Sequence, residues 1–205
     1  MNFSDFKAQV YSYLGFKGMG ASDDTDALIE ECLTEIERCA QFNYLYRAYD
    51  ELPAFLNKEP YRSFLSGTKG AIVSVMTLGA WVDRLISRAS RADMARAAVL
   101  DAVSSAYLEL KSDEYERTLG DDLSYRFCPG YGGSSVEDLK EIFALLHPEK
   151  IGVTLSESNF MLPSKSMAGV IGIGTQRKRR CGDCFMLAHC KFREDGRTCF
   201  HSGKM

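Results

Sequence analysis

Four cysteines, Cys181, Cys184, Cys190 and Cys199, are crowded into the last 25 residues with the spacing C-x2-C-x5-C-x8-C. A C-x2-C pair can place two sulfurs on one ion through a tight turn. Four thiolates satisfy either tetrahedral Zn²⁺ or an iron–sulfur cluster, and spacing alone does not choose between them. Arg177, Lys178, Arg179, Arg180, Lys191 and Arg193 lie around these cysteines, and positive charge favours the thiolate form. His189 and His201 are alternative zinc ligands. The competing reading is a set of free thiols. An odd total of seven cysteines with four clustered reads as metal binding first.

A second constellation joins Arg126 to the turn Pro129-Gly130-Tyr131-Gly132-Gly133. A glycine-rich turn after a strand exposes backbone amides and carbonyls and lets a ligand approach closely. An arginine pairs bidentately with a carboxylate, and a tyrosine packs on a planar group. Together they suit a small zwitterionic ligand carrying an aromatic base. On residue types alone, a structural turn beside a surface arginine is the better reading. A third run, SESNFMLPSKS, crowds Ser156, Glu157, Ser158, Ser164, Lys165 and Ser166 between two apolar segments; a helix cap and a turn explain it adequately.

Other features carry less. Gly169-x-x-Gly172-x-Gly174 ends a strand but leads into a basic run and cysteines, so it is a weak phosphate-loop signal. No histidine–serine–acid or H-E-x-x-H pattern occurs, and Cys128 has no local base to make it a nucleophile. Cys32 and Cys39, seven apart on a helical face, read as core packing.

The elements that must position these groups follow from periodicity. Helices are expected over 4–14, from the acidic run at 23–26 to about Ala40, over 80–89 and 91–116, and after a capping box beginning at Ser134. Strands are expected at 43–49, 71–78, 125–128, 151–155 and 168–173. The strands are short and unevenly connected. This predicts an α+β fold with a mainly antiparallel or mixed sheet flanked by helices. A boundary near Gly174 would separate a domain over 1–174 from a basic, cysteine-rich tail over 175–205.

At 205 residues, with 45% hydrophobic and 26% charged residues, the chain suits one main globular domain with an appendage. The formal net charge of -3 gives no global electrostatic case for nucleic acid. No apolar stretch reaches the ~18–20 residues of a membrane span, and the N-terminus lacks the pattern of a secretory signal. The expected compartment is the cytoplasm.

RFCPGYGG (126–133), LLHPEKIGVTLSESNFMLPSKSMAGVIGIG (145–174) and TLGAWVDRLISRASRADMARAAVLDAVSSAYLE (77–109) together resemble the activation domain of cobalamin-dependent methionine synthase. The likeness is strongest over 77–174 and looser before that. It implies a twisted antiparallel α+β fold that binds S-adenosylmethionine and docks on a cobalamin-binding domain. There, cob(II)alamin takes an electron from a flavodoxin-like or other reductase, and the methyl group of S-adenosylmethionine traps the reduced cobalt. Carried over by position, Arg126 would hold the ligand carboxylate, the backbone of Cys128, Pro129 and Gly130 would contact the ligand, and Tyr131 would line its pocket. Glu157 and Ser158 would shape the pocket or the cobalamin-facing surface. The family's helix glutamate aligns near Ser105, with Glu109 one turn later as its possible substitute. Gly132-Gly133 departs from the family's Pro-Ala and suggests a looser turn, and the cysteine tail stands where the family places a tyrosine-bearing segment.

The leading expectation is therefore a trans-acting reactivation factor for a methionine synthase or another corrinoid protein. The alternatives are an iron–sulfur reductase that feeds electrons to a corrinoid protein, and a non-catalytic module that binds one.

Overall fold

The computed structural model describes residues 3–16 and 22–175. The tail cysteines and their basic neighbours lie outside the described residues. The element order is α1 (Phe3–Tyr13), α2 (Asp23–Cys39), β1 (Asn43–Tyr49), α3 (Tyr61–Phe64), β2 (Gly70–Thr77), α4 (Ala80–Ala89), α5 (Met94–Leu119), α6 (Leu139–Leu146), β3 (Thr154–Leu155), β4 (Met161–Leu162) and β5 (Ser166–Ile173). Single 3-10 turns occur at Ala54–Asn57, Val136–Asp138 and Pro148–Ile151.

Three strands form the main sheet in the order β1-β2-β5. The central strand, β2, is buried along its whole length, which accounts for its unbroken apolar run. Its two polar side chains are satisfied across the sheet: Ser74 Oγ donates to Gly169 O and Thr77 Oγ1 donates to Lys165 O, both at 3.3 Å. Both pairings are antiparallel. Gln41 N donates to Leu78 O, whereas Gly70 lies against Tyr49 at the opposite end of the pair. On the other side Lys69 N reaches Ile173 O and Leu78 N reaches Lys165 O. A separate hairpin pairs β3 with β4 antiparallel. The architecture is α+β with an antiparallel sheet, as expected.

The described chain divides into two compact units. Of the described residues, one draws on those up to Leu45, on Val75–Leu119 and on His147–Met167, the other on Tyr46–Ser74, Gly120–Leu146 and those from Ala168 on. In the first, α1, α2 and α4 all pack on α5. Ser22 caps α2 by accepting Thr25 N, and Asp23, Asp24 and Asp26 load its first turn, where the helix dipole favours negative charge. Ile29, Cys32 and Ile36 then bury one stripe. Burial on α5 goes around much of the helix, including Ala97, Ala102, Ala106, Ser104 and Ser112. These small residues let neighbouring helices come close. The two buried serines donate to Leu100 O and Leu108 O, at 2.6 and 2.7 Å, which meets the rule that buried polar groups are bonded. Cys32 is wholly buried and Cys39 packs at the edge of the same core.

Candidate functional site

The segment after α5 runs along the free edge of β5. It pairs there through isolated antiparallel bridges, Leu123 with Ile173 and Phe127 with Val170. The expected strand at 125–128 is thus a single bridge at Phe127, with the other bridge before it at Leu123. The cause is Ser124. Its backbone N donates to Gly172 O at 2.9 Å, but its hydroxyl accepts Gly172 N at 2.7 Å in place of the backbone carbonyl. The ladder resumes at Phe127, whose N and O exchange 2.8 Å bonds with Val170.

Between the two bridges sits Arg126. It is 4% exposed, so it is not the surface arginine that residue type alone suggested. Its aliphatic stem crosses β5 at Gly169, where a Cβ would stand 2.3 Å from Arg126 Cγ and 2.7 Å from Cδ. Only glycine leaves that lane open. The glycines of the Gly169-x-x-Gly172-x-Gly174 run serve packing: Gly172 faces Thr68 and Leu65, and Gly174 faces the Lys69 stem. A guanidinium whose stem is held in this way keeps its planar donor fork pre-oriented.

Two successive turns follow. Tyr131 N donates to Cys128 O, with Pro129 second and Gly130 third at φ 86°, the pattern of a type II turn. Ser134 N then donates to Tyr131 O, with Gly132 and Gly133 between at φ 60° and 85°. Positive φ at both central positions is what a type I′ turn demands. The Ser134 hydroxyl joins the turns by accepting Gly130 N and donating to Tyr131 O, at 3.1 and 2.7 Å. Gly132-Gly133 is therefore a specified turn, which corrects the expectation of a looser one. A Cβ at Gly132 would also stand 2.7 Å from the Phe127 ring. Pro129 is buried, Cys128 half-buried, and Gly130 and Tyr131 exposed.

An aromatic wedge supports the turns from below. Phe127 packs on Tyr61 and Phe64 at ring distances of 5.4 and 5.0 Å, and Phe64 meets Tyr125 at 5.2 Å. Tyr61 OH donates to Asp138 Oδ2 at 3.0 Å, which also accepts Ser135 N. Burial, with the neighbouring Asp138 carboxylate, pushes the Tyr61 hydroxyl well above the usual phenol range. The capping box is Ser135 with Asp138, one residue beyond its expected start, because Ser134 is taken up by the turn. Ser124, Ser134, Asp138 and Gly169 were not singled out as site residues. A glycine inside an apolar strand was the one available signal, since it marks a close approach.

The remaining named residues lie in the other unit. Glu109, on α5, accepts Gln9 Nε2 at 2.6 Å and the Tyr13 hydroxyl, both from α1. One turn earlier, Ser105 accepts Lys165 Nζ at 3.0 Å, and the same ammonium pairs with Asp101 at 2.7 Å. Glu157 and Ser158 are exposed in the turn joining β3 to β4. Ser156 N donates to Phe160 O there, and Asn159 adopts φ 61°. The run SESNFMLPSKS is thus a hairpin with a clamp behind it. Ser164 donates to both Asp83 carboxylate oxygens through its N and Oγ, at 2.6 and 2.8 Å, and Ser166 Oγ donates to Pro163 O. Among the described residues no group of three metal-ligating side chains occurs, and no helix is long and apolar enough to cross a membrane.

No protein-family model matches the chain, and no curated protein matches it. Its fold does match a solved structure, the crystal structure of the MetH reactivation domain bound to AdoHcy. The match has a TM-score of 0.52 at 14% identity and covers 92% of this chain and 80% of that one. An α5 hub, an antiparallel sheet, and a double glycine turn beyond a buried arginine are thus the parts of a chain that has the fold of the MetH reactivation domain.

Proposed function

We propose that this chain is a trans-acting reactivation factor that binds S-adenosylmethionine and docks on a cobalamin-carrying methyltransferase. The observation that carries the reading is Arg126, buried and threaded over Gly169 two residues before the double turn begins, on a fold whose solved neighbour is bound to AdoHcy. A fixed guanidinium suits the carboxylate of such a ligand. The Cys128, Pro129 and Gly130 backbone offers close approach without side-chain bulk, and the exposed Tyr131 ring offers a face for packing. When bound, S-adenosylmethionine supplies a methyl group to cobalt held by the partner.

Docking on the partner is assigned to the β3–β4 hairpin. It presents Glu157 and Ser158 at its tip, with Phe160 70% and Leu162 51% exposed; exposed apolar groups of this size suit an interface. Glu109 accepts one bond on each carboxylate oxygen, from Gln9 and from Tyr13, and would serve the ligand through its remaining lone pairs. Cys181, Cys184, Cys190 and Cys199 are proposed to bind zinc or an iron–sulfur cluster. Visible absorbance of anaerobically purified protein distinguishes the two, since zinc is colourless. The electron donor is proposed to be a separate flavodoxin-like or other reductase.

The test is calorimetric titration of the purified chain with S-adenosylmethionine, alone and with a corrinoid partner, beside Arg126→Lys and Arg126→Ala. Saturable binding that both variants lose, with Arg126→Lys keeping the native unfolding midpoint, supports the reading. Absence of binding to folded protein in both settings overturns it.

A further inference from the structure

A groove of about 410 Å³ lies along α4 and the turn after it, lined by Asp83, Arg84, Ser87, Arg88 and Arg91. Arg84, Arg88 and Arg91 stand three and four residues apart, so a helical path brings them to one side. All three are exposed. Among the described residues none of them has an ion-pair partner. The single acid in the groove, Asp83, is already engaged by Ser164 N and Oγ at 2.6 and 2.8 Å. Arg84 lies over the Trp81 ring at 4.6 Å, and Trp81 is 53% exposed.

We infer that this groove is a binding site for a small phosphate-bearing anion. Three arginine side chains line one groove, and among the described residues none of them is neutralised by an ion pair. Their forked donors match phosphate oxygens bidentately, and the Ser87 hydroxyl adds a further donor. The site does not depend on the S-adenosylmethionine reading, which concerns other residues.

Trp81 is the chain's single tryptophan and lies under Arg84, so its emission reports on that lining arginine. The full chain is titrated with inorganic pyrophosphate at low ionic strength, following Trp81 fluorescence and heat. The expected result is a saturable one-site response that weakens at least tenfold in Arg88→Glu/Arg91→Glu and persists in Arg126→Lys. No response at millimolar pyrophosphate overturns the inference, as does an undiminished response in the folded double variant. A response to a polyglutamate peptide without one to pyrophosphate also overturns it, and makes the groove a surface for acidic protein.

Discussion

Arg126 passes over Gly169 so closely that a single methyl group at 169 would stand 2.3 Å from Arg126 Cγ. The glycine and the arginine are one device: the missing side chain of the first leaves room for the buried stem of the second. Gly169→Ala must therefore expel or bend the arginine. We expect a loss of about 1–3 kcal/mol in urea unfolding, typical of overpacking, together with loss of S-adenosylmethionine binding. A variant that is destabilised yet binds normally would separate the two residues.

Gly132 is constrained twice, by φ 60° and by the Phe127 ring 2.7 Å from its missing Cβ. Gly15 is constrained once, at φ 75° with nothing within 4 Å. Gly15→Ala should thus cost only the left-handed backbone penalty, about 1–2 kcal/mol. Gly132→Ala should cost that and a packing penalty of about 1 kcal/mol or more. Matched denaturation curves read the difference, and equal losses would count against the packing contribution.

Lys165 and Asp101 are unequally buried, with side-chain exposures of 10% and 58%. Removing the lysine leaves a carboxylate that water can solvate. Removing the aspartate leaves an ammonium largely cut off from water, with Ser105 as its remaining neutral partner. Asp101→Ala should therefore destabilise more than Lys165→Met, by about 2–3 against about 1 kcal/mol. The reverse order in urea titration would refute the asymmetry.

Asp26 should contribute to acid sensitivity. Hydrogen bonds from Lys7 and then from the Tyr11 hydroxyl hold its carboxyl below the ordinary aspartate value. A depressed folded pKa gives stability that is present above the unfolded value, near 4, and lost as pH falls through the folded one. Unfolding midpoints between pH 5 and pH 2 should thus drop, and Asp26→Asn should remove that part of the drop. At the alkaline end, burial and Asp26 push Tyr11 up to about 12. Its contribution is intact below about 10 and fades as pH rises through 12. Tyr11→Phe should flatten that limb.

Helices and the central strand were legible because each carries its own signal. Ser22 and the acids after it announce α2, helical spacing sets its stripe, and an apolar run bounded by Gly70 and Gly79 announces β2. The same local signals misled where a side chain replaced a backbone partner. Ser124 interrupts what Tyr125 to Cys128 suggest as a strand, and Ser134, drawn into the turn, displaces the cap to Ser135. Residues 151–155 read as a strand, but Pro148 starts a 3-10 turn through Ile151 and Gly152 adopts φ 76°. Pairing with β4 then begins only at Thr154. For the site, the arginine and its turn were visible by type, whereas the burial of Arg126 was not, because it depends on a glycine 43 positions later.

The interleaving of the two units bears on how the protein is made. Each draws on three stretches of chain, and Ser166–Ile173 contributes to both. A nascent chain released only to residue 119 has the α5 helix and its neighbours but lacks the strand that closes the sheet beside β2. The first unit has all of its chain once Met167 is made, whereas the second still needs the stretch that begins at Ala168, and neither corresponds to one continuous stretch that could be excised without the other. Assembly must wait for β5 to emerge, and that strand delivers Gly169, the glycine that lets Arg126 take its place.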